Sequence, residues 1–120
     1  DLWPRLDVLV VPSRPTTRWN EPNGTTLLEA MANEVAVIGS DTGVIPELIG
    51  DAGIVTPSGE AEALAGALAR ALDPSERTGL ARAARARALK LFSDDAIAER
   101  TLRFWQEMLE KPGGTPGSKR

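Results

Sequence analysis

Cysteine and histidine are both absent from this sequence of 120 residues. Their absence excludes disulfides, thiolate and imidazole catalysis and zinc sites of the usual kind within the segment. The lack of cysteine is compatible with a reducing compartment without establishing one. The sequence also has no apolar run as long as a membrane span and no opening signal-peptide pattern. We expect a cytoplasmic protein, with the inner face of the membrane as the alternative for the full-length form.

The charge balance gives no reason to expect a polyanionic partner. Fourteen basic residues face 17 acidic ones, for a net charge of -3, so we predict no nucleic-acid partner. The apolar fraction of 42% permits a packed core, and the length permits one domain at most. Because the first residue is Asp1 and no initiator Met is present, we expect the chain to be a piece of a longer protein.

Three apolar runs predict parallel strands. They cover residues 8–11, 35–38 and 53–55, and they are ended by Pro12-Ser13, Gly39-Ser40-Asp41 and Thr56-Pro57. Runs that are apolar on both faces are typical of a parallel sheet covered by helices on each side. The stretch Thr25–Ala32 predicts a helix between the first two strands, which implies a right-handed crossover. Residues 46–49 predict a brief helical turn before the third strand.

Three helices are predicted after the strands. The first starts near Glu60 and ends at Asp73 and Pro74, and the second is marked by leucines and alanines of residues 80–91. Ser93 is the predicted cap of the third, whose Phe104, Trp105 and Met108 are interpreted as core. Arginines of the second helix spread around its surface and are interpreted as a solvated face; they are Arg77, Arg82, Arg85 and Arg87.

The predicted fold class is therefore α/β, with three parallel strands plus helices. The three strands fit positions 4, 5 and 6 of a Rossmann-like doubly wound sheet, so the chain is predicted to be the second half of such a domain. Residues 1–110 form this half-domain in the prediction. Residues 111–120, rich in Gly, Pro and Ser, are predicted to be a disordered tail.

A ligand site is predicted where the first strand ends, because open parallel sheets bind ligands beyond the carboxyl ends of their strands. Glu21 precedes the first helix and Glu29 lies within its first or second turn. The amides of Gly24, Thr25 and Thr26 at the helix amino terminus attract phosphate. Carboxylates on either side suit the hydroxyls of a sugar diphosphate nucleoside. The alternative is that both glutamates merely complement the helix dipole.

Several motifs resemble one known family. Glu21 to Glu29 matches the E-x7-E motif of the family 4 retaining glycosyltransferases, which have the GT-B fold. The resemblance spans residues 5–109 and continues, in order, through Leu28-Glu29-Ala30-Met31-Ala32, Ala36-Val37-Ile38-Gly39-Ser40, Gly43, Ile45-Pro46-Glu47 and Gly50-Asp51-Ala52-Gly53. Each piece is weak alone, and their shared order and spacing make the match strong.

The resemblance implies a role for each site residue. Glu21 is the implied catalytic residue and contacts the hydroxyls of the donor sugar, while Glu29 binds the ribose. The backbone of Asn23, Gly24, Thr25 and Thr26 meets the sugar or the diphosphate. A hexose-type sugar is transferred with retention of configuration from a nucleotide-diphosphate sugar, in a bacterial carbohydrate pathway. The diphosphate is stabilised by helix amides and basic side chains, so no metal and no further cofactor is expected.

The chain departs from the family pattern at three positions. Asn23 stands where Phe is usual, which puts the donor preference in doubt, and Ala36 stands where Pro is usual. Glu34 replaces a usual Gly and strains the turn before the second strand if a positive φ is required there. Neither Glu21 nor Glu29 is affected.

The resemblance also places two functional parts upstream of this chain. These are the basic pair that grips the diphosphate and the amino-terminal domain that binds the unknown acceptor. We therefore expect no transfer by the chain alone. The unpaired edge of its first strand predicts that the isolated chain self-associates. Two other functions stay open: a non-catalytic GT-B-like domain used in assembly, and a sugar-nucleotide epimerase of the GT-B type.

Overall fold

The computed structural model describes residues 2–17 and 24–110. Within them a short 3-10 turn, Trp3–Arg5, precedes three strands and five helices. The strands are β1 (Val8–Val11), β2 (Ala36–Ser40) and β3 (Ile54–Thr56). The helices are α1 (Thr25–Ala32), α2 (Ile45–Ile49), α3 (Ala61–Leu72), α4 (Pro74–Phe92) and α5 (Asp94–Glu110).

The strands form one parallel sheet in the order β1-β2-β3, which confirms the predicted α/β class and strand adjacency. Val8 is paired in register with Ala36, and Ile38 with Ile54. β2 runs further than predicted, through Ser40, because Gly39 and Ser40 still pair with β3. The predicted limits of β1 and α1 coincide with the observed ones.

Helices cover both faces of the sheet. All five residues of β2 are buried, whereas all four of β1 are half-buried. On one face α1, α2 and α4 enclose the larger cluster of buried side chains, made of Leu27, Ala30, Met31, Val35, Val37, Ile45, Leu48, Ile49, Ala52, Ala84 and Ala88. On the other face α3 packs through Ala67 and Ala71 on Ile38 and Ile54. β2 is therefore the centre of the fold, and β1 is an edge strand among the described residues.

Side-chain caps explain where two of the later helices begin. The Asp73 carboxylate accepts hydrogen bonds from the amides of Ser75 and Glu76, at 3.0 and 2.9 Å. Pro74 occupies the first position of α4, where its missing N–H costs nothing. Ser93 caps α5 as predicted, since its hydroxyl accepts from the amide of Ala96 at 3.2 Å.

The turn after α1 confirms the strain predicted for Glu34. Its φ is +60°, and it is the one non-glycine residue with positive φ among residues 2–17 and 24–110. The Val35 amide donates to the Ala30 carbonyl and the Glu34 amide to the Met31 carbonyl, both at 3.1 Å. This is the Schellman pattern of a helix end, and Glu34 occupies the position that glycine usually fills.

Two of the arginines predicted to form a solvated face donate hydrogen bonds to backbone carbonyls at the ends of other helices. Arg85 donates to the carbonyl of Ala32, the last residue of α1. Arg87 donates to the carbonyls of Leu48 and Glu47 at 2.8 and 2.9 Å. The last carbonyls of a helix have no partner within it, and a long cationic side chain from a neighbouring helix satisfies them. The prediction was wrong for Arg87, which is half-buried, whereas Arg85 is exposed as predicted.

The apolar face of α5 was also predicted wrongly. Phe104, Trp105 and Met108 are 58, 59 and 57% exposed instead of forming core. Every residue of α5 except the half-buried Ala96 is exposed, and the helix packs mainly against α4. The periodicity identified an apolar helix face correctly, but nothing in residues 2–17 and 24–110 covers it. Within those residues no helix combines the length and apolarity that crossing a membrane requires.

Candidate functional site

The candidate site lies at the carboxyl edge of the sheet, where α1 begins. Gly24 is the N-cap of α1, is buried, and adopts a left-handed conformation with φ +59°. A Cβ at this position would collide with Cδ1 of Leu48 in α2. Both the backbone conformation and this contact require glycine, so the start of α1 is held directly against α2.

Thr25, Thr26 and Glu29 share one exposed side of α1. Their spacing of four and three residues places them on one helix face, and all three are exposed while Leu27, Ala30 and Met31 are buried. Backbone amides in the first turn have no carbonyl of their own helix to bond. No side chain caps this helix end by a hydrogen bond among the described residues. The amino terminus of α1 therefore presents an anion-binding face with a carboxylate one turn further along.

An open pocket of about 260 Å³ separates this helix start from the first strand. It is lined by Leu9, Val10, Val11, Gly24, Thr25, Thr26 and Leu27. Three of the predicted donor-binding residues, Gly24, Thr25 and Thr26, thus line one pocket, and Glu29 lies on the adjoining turn. Glu21 and Asn23 lie outside the described residues, and their roles stay predictions.

The position of Glu29 weighs against a purely electrostatic role in the helix. It is the fifth residue of α1, and the first turn of α1 holds no acidic residue. The stabilisation of an acidic side chain by the helix dipole fades beyond the first turn. Its carboxylate is exposed and makes no hydrogen bond or ion pair with any described residue. It is thus available to a ligand.

A second arrangement at the same edge was not predicted from the sequence. The carbonyl of Ser13 accepts hydrogen bonds from the hydroxyls of Ser40, Thr42 and Ser58, at 2.7, 3.1 and 3.2 Å. We call these four residues the Ser13 cluster. Asp41 supports it, since its carboxylate accepts from the Ser58 amide at 2.7 Å. The only sequence signal was that Ser or Thr follows the end of each strand.

Acidic side chains do not gather into a metal-binding group in the part of the chain that the structure describes. Residues 2–17 and 24–110 contain no cluster of three or more Asp or Glu side chains placed to hold an ion. The expectation that the reaction needs no metal stays a prediction, because it concerns the ligand and the longer protein.

A family model described as "Glycosyl transferases group 1" matches residues 1–74. The chain is 46% identical over 67 residues to the lipopolysaccharide core biosynthesis mannosyltransferase LpcC of Rhizobium leguminosarum bv. viciae. This match covers 54% of this chain and 18% of LpcC. It is 36% identical over 97 residues to the alpha-maltose-1-phosphate synthase of Mycolicibacterium smegmatis. That match covers 73% of this chain and 25% of the enzyme.

The fold is similar to that of a solved enzyme. A sucrose-phosphate synthase from Thermosynechococcus elongatus superposes with a TM-score of 0.69 and 33% sequence identity. The match covers 86% of this chain and 25% of that one. The chain therefore spans a quarter or less of the length of each of these three proteins.

Proposed function

Because the chain belongs to the family described as glycosyl transferases group 1 and has a GT-B fold, we propose that it is the second half of the nucleotide-sugar-binding domain of a retaining, family 4 glycosyltransferase. The parent enzyme transfers a hexose-type sugar from a nucleotide-diphosphate donor. The acceptor binds to an amino-terminal domain outside this chain. Two relatives named for a mannosyltransferase and a maltose-1-phosphate synthase support a sugar as the transferred group.

One observation carries the proposal: Thr25 and Thr26 in the first turn of α1 lie on the same exposed face of the helix as Glu29. Thr25 and Thr26 bring unpaired helix amides to the carboxyl edge of the sheet, and Glu29 follows at the next turn. Phosphate binds well to such amides, and a carboxylate beside it accepts hydrogen bonds from ribose hydroxyls. A nucleoside diphosphate carries both groups in this order.

The same geometry gives the leaving group its stabilisation. Negative charge develops on the diphosphate as the bond to the sugar breaks, and oriented amides at a helix terminus stabilise that charge without reorganising. We propose that this replaces a divalent cation, so that activity persists in excess EDTA. Glu21, in the loop before α1, contacts the transferred sugar and is the catalytic residue in this proposal. The cytoplasmic location of the parent enzyme belongs to the same proposal.

Two glutamine variants in the full-length protein test the assignment. Glu29→Gln removes a ribose contact that is similar in the ground and transition states, so it raises KM and weakens nucleotide binding. Glu21→Gln removes a sugar contact that tightens as charge develops, so it lowers kcat. A hydrogen bond to a charged group contributes roughly 1.5–3 kcal/mol, so each effect is about tenfold to a hundredfold.

Calorimetric titration with UDP, GDP and ADP in turn measures the difference directly. Glu29→Gln weakens binding of the cognate diphosphate, while Glu21→Gln leaves it nearly unchanged. Glu107→Gln is the matched control, because Glu107 is an exposed helical glutamate in α5. If Glu21→Gln and Glu29→Gln change neither nucleotide affinity nor turnover, the site assignment is wrong. Nucleotide binding without sugar transfer favours the non-catalytic or epimerase alternative.

A further inference from the structure

We propose that Ser40, Thr42 and Ser58 are positioning residues, which fix the loop between β1 and α1 by holding the carbonyl of Ser13. The inference rests on the proposed function, because that loop carries Glu21. The three hydroxyls come from positions 27, 29 and 45 residues away from Ser13 along the chain. They converge on a single oxygen at the point where the loop leaves β1.

Burial distinguishes this cluster from incidental surface contacts. Ser40 and Thr42 are 2 and 3% exposed, and they are two of the three buried polar residues among those described. A buried hydroxyl without a partner costs free energy, so both side chains are committed to their bonds with Ser13. Ser58 reaches the same carbonyl from the loop after β3, and its amide is tied to Asp41. The loops that follow all three strands are thereby joined.

The loop is fixed at its other end as well. Gly24 packs closely on α2, because a side chain at this position would displace Cδ1 of Leu48. A segment held at both ends loses less conformational entropy when it adopts its working geometry than one held at a single end. Misplacing a group at a reacting centre by about 1 Å costs up to about a hundredfold in rate. The Ser13 cluster therefore acts on the reaction through the loop, without touching the ligand.

Three hydroxyls donate to the Ser13 carbonyl oxygen, which is one more than its number of lone pairs. A carbonyl oxygen has two lone pairs, so loss of one hydroxyl still leaves both occupied, whereas loss of two leaves one empty. We therefore expect Thr42→Val, which replaces the hydroxyl by a methyl group, to have a small effect. The double variant Ser40→Ala, Thr42→Val is expected to exceed the sum of its two single variants. Thr42→Ser, which keeps a hydroxyl at this position, restores the parent behaviour.

The experiment uses the full-length protein and two readouts. The first is steady-state kinetics with calorimetric titration of the cognate nucleoside diphosphate. The double variant lowers kcat about tenfold, since loop geometry is lost, while the diphosphate dissociation constant stays within about twofold because Glu29 is on α1. The second is hydrogen exchange of peptides covering residues 12–17, which rises in the double variant while exchange in α1 and β2 does not change.

The control is Thr78→Val, which removes a threonine hydroxyl bonded to the Pro74 carbonyl at 2.8 Å within α4, and it should change neither readout. Equal losses of kcat and nucleotide affinity, or faster exchange throughout the domain, overturn the inference because both indicate general destabilisation. Unchanged exchange in residues 12–17 overturns it whatever the activity. If the parent protein binds no nucleotide, the proposed function fails, and the exchange measurement still decides whether the cluster holds the loop.

Discussion

Replacing Arg87 of α4 by methionine tests how much this one side chain contributes to the stability of the domain through its bonds to the end of α2. Methionine keeps an aliphatic stem and removes the guanidinium, whose Nε donates to the Leu48 carbonyl and whose second amino group donates to the Glu47 carbonyl. Gly50, with φ +54°, leaves room for this group, because a Cβ there would lie 2.5 Å from the Arg87 Cζ atom. The guanidinium is thus enclosed between the end of α2 and the Phe92 ring, 6.0 Å away.

The magnitude follows from the exposure of each contact. The bond to Leu48 is partly buried and the bond to Glu47 is exposed, so we assign about 1.5 kcal/mol to the first and about 0.5 kcal/mol to the second. The ion pair with Asp51 spans 3.8 Å to a side chain that is 99% exposed, and it adds little. The expected loss is about 2 kcal/mol, which lowers the urea midpoint by roughly 1 M for a domain of this size.

Urea unfolding followed by circular dichroism measures the effect, with Arg82→Met as the matched control. Arg82 lies on the same helix, is exposed, and makes no hydrogen bond or ion pair with the described residues. Arg87→Lys recovers at most half of the loss, because an ammonium group cannot serve two carbonyls in the fixed fork of a guanidinium. Equal midpoints for Arg87→Met and Arg82→Met would refute the argument that Arg87 stabilises the end of α2.

Three further outcomes follow from the backbone and the exposed surfaces. Glu34→Gly raises the free energy of unfolding by about 1 kcal/mol in the same urea assay, because glycine adopts a positive φ without steric strain. Glu34→Ala gives no gain, because alanine keeps the Cβ that causes the strain. Gly24→Ala lowers it by about 3 kcal/mol through backbone strain and the collision with Leu48, and it weakens nucleotide binding in the full-length protein. The isolated chain self-associates through the β1 edge or the apolar face of α5, and light scattering across concentrations shows it. Trp105→Glu lowers the association if α5 is responsible, and a monomer at every concentration contradicts the prediction.

Local sequence signals predicted the elements that bury side chains within the chain. Val8–Val11 and Thr25–Ala32 were located correctly because a continuous apolar run bounded by Pro and an apolar stripe after Gly24 are both short-range patterns. The strain at Glu34 was predictable for the same reason, since it depends on the turn that joins α1 to β2.

Interactions between distant segments could not be predicted in this way. Arg85 and Arg87 resemble surface residues in a helical pattern, and only the packed structure shows which helix ends they reach. The convergence of Ser40 and Ser58 on Ser13 likewise depends on three loops meeting at one edge. For the candidate site, the sequence predicted that Glu29 accompanies the start of α1, and the structure places it there. The donor-binding roles of Glu21 and Glu29 stay predictions.

The isolation of α5 has a consequence for how the chain unfolds. No residue from Asp94 to Glu110 is buried and all but Ala96 are exposed, so this helix shares almost no buried apolar surface with the sheet. A helix of this length is only marginally stable in water without tertiary packing. We expect it to open as a separate cooperative unit, with an opening free energy far below that of β2. A protease that cuts after arginine should therefore cleave within α5, at Arg100 or Arg103, while β1 to α4 remain folded.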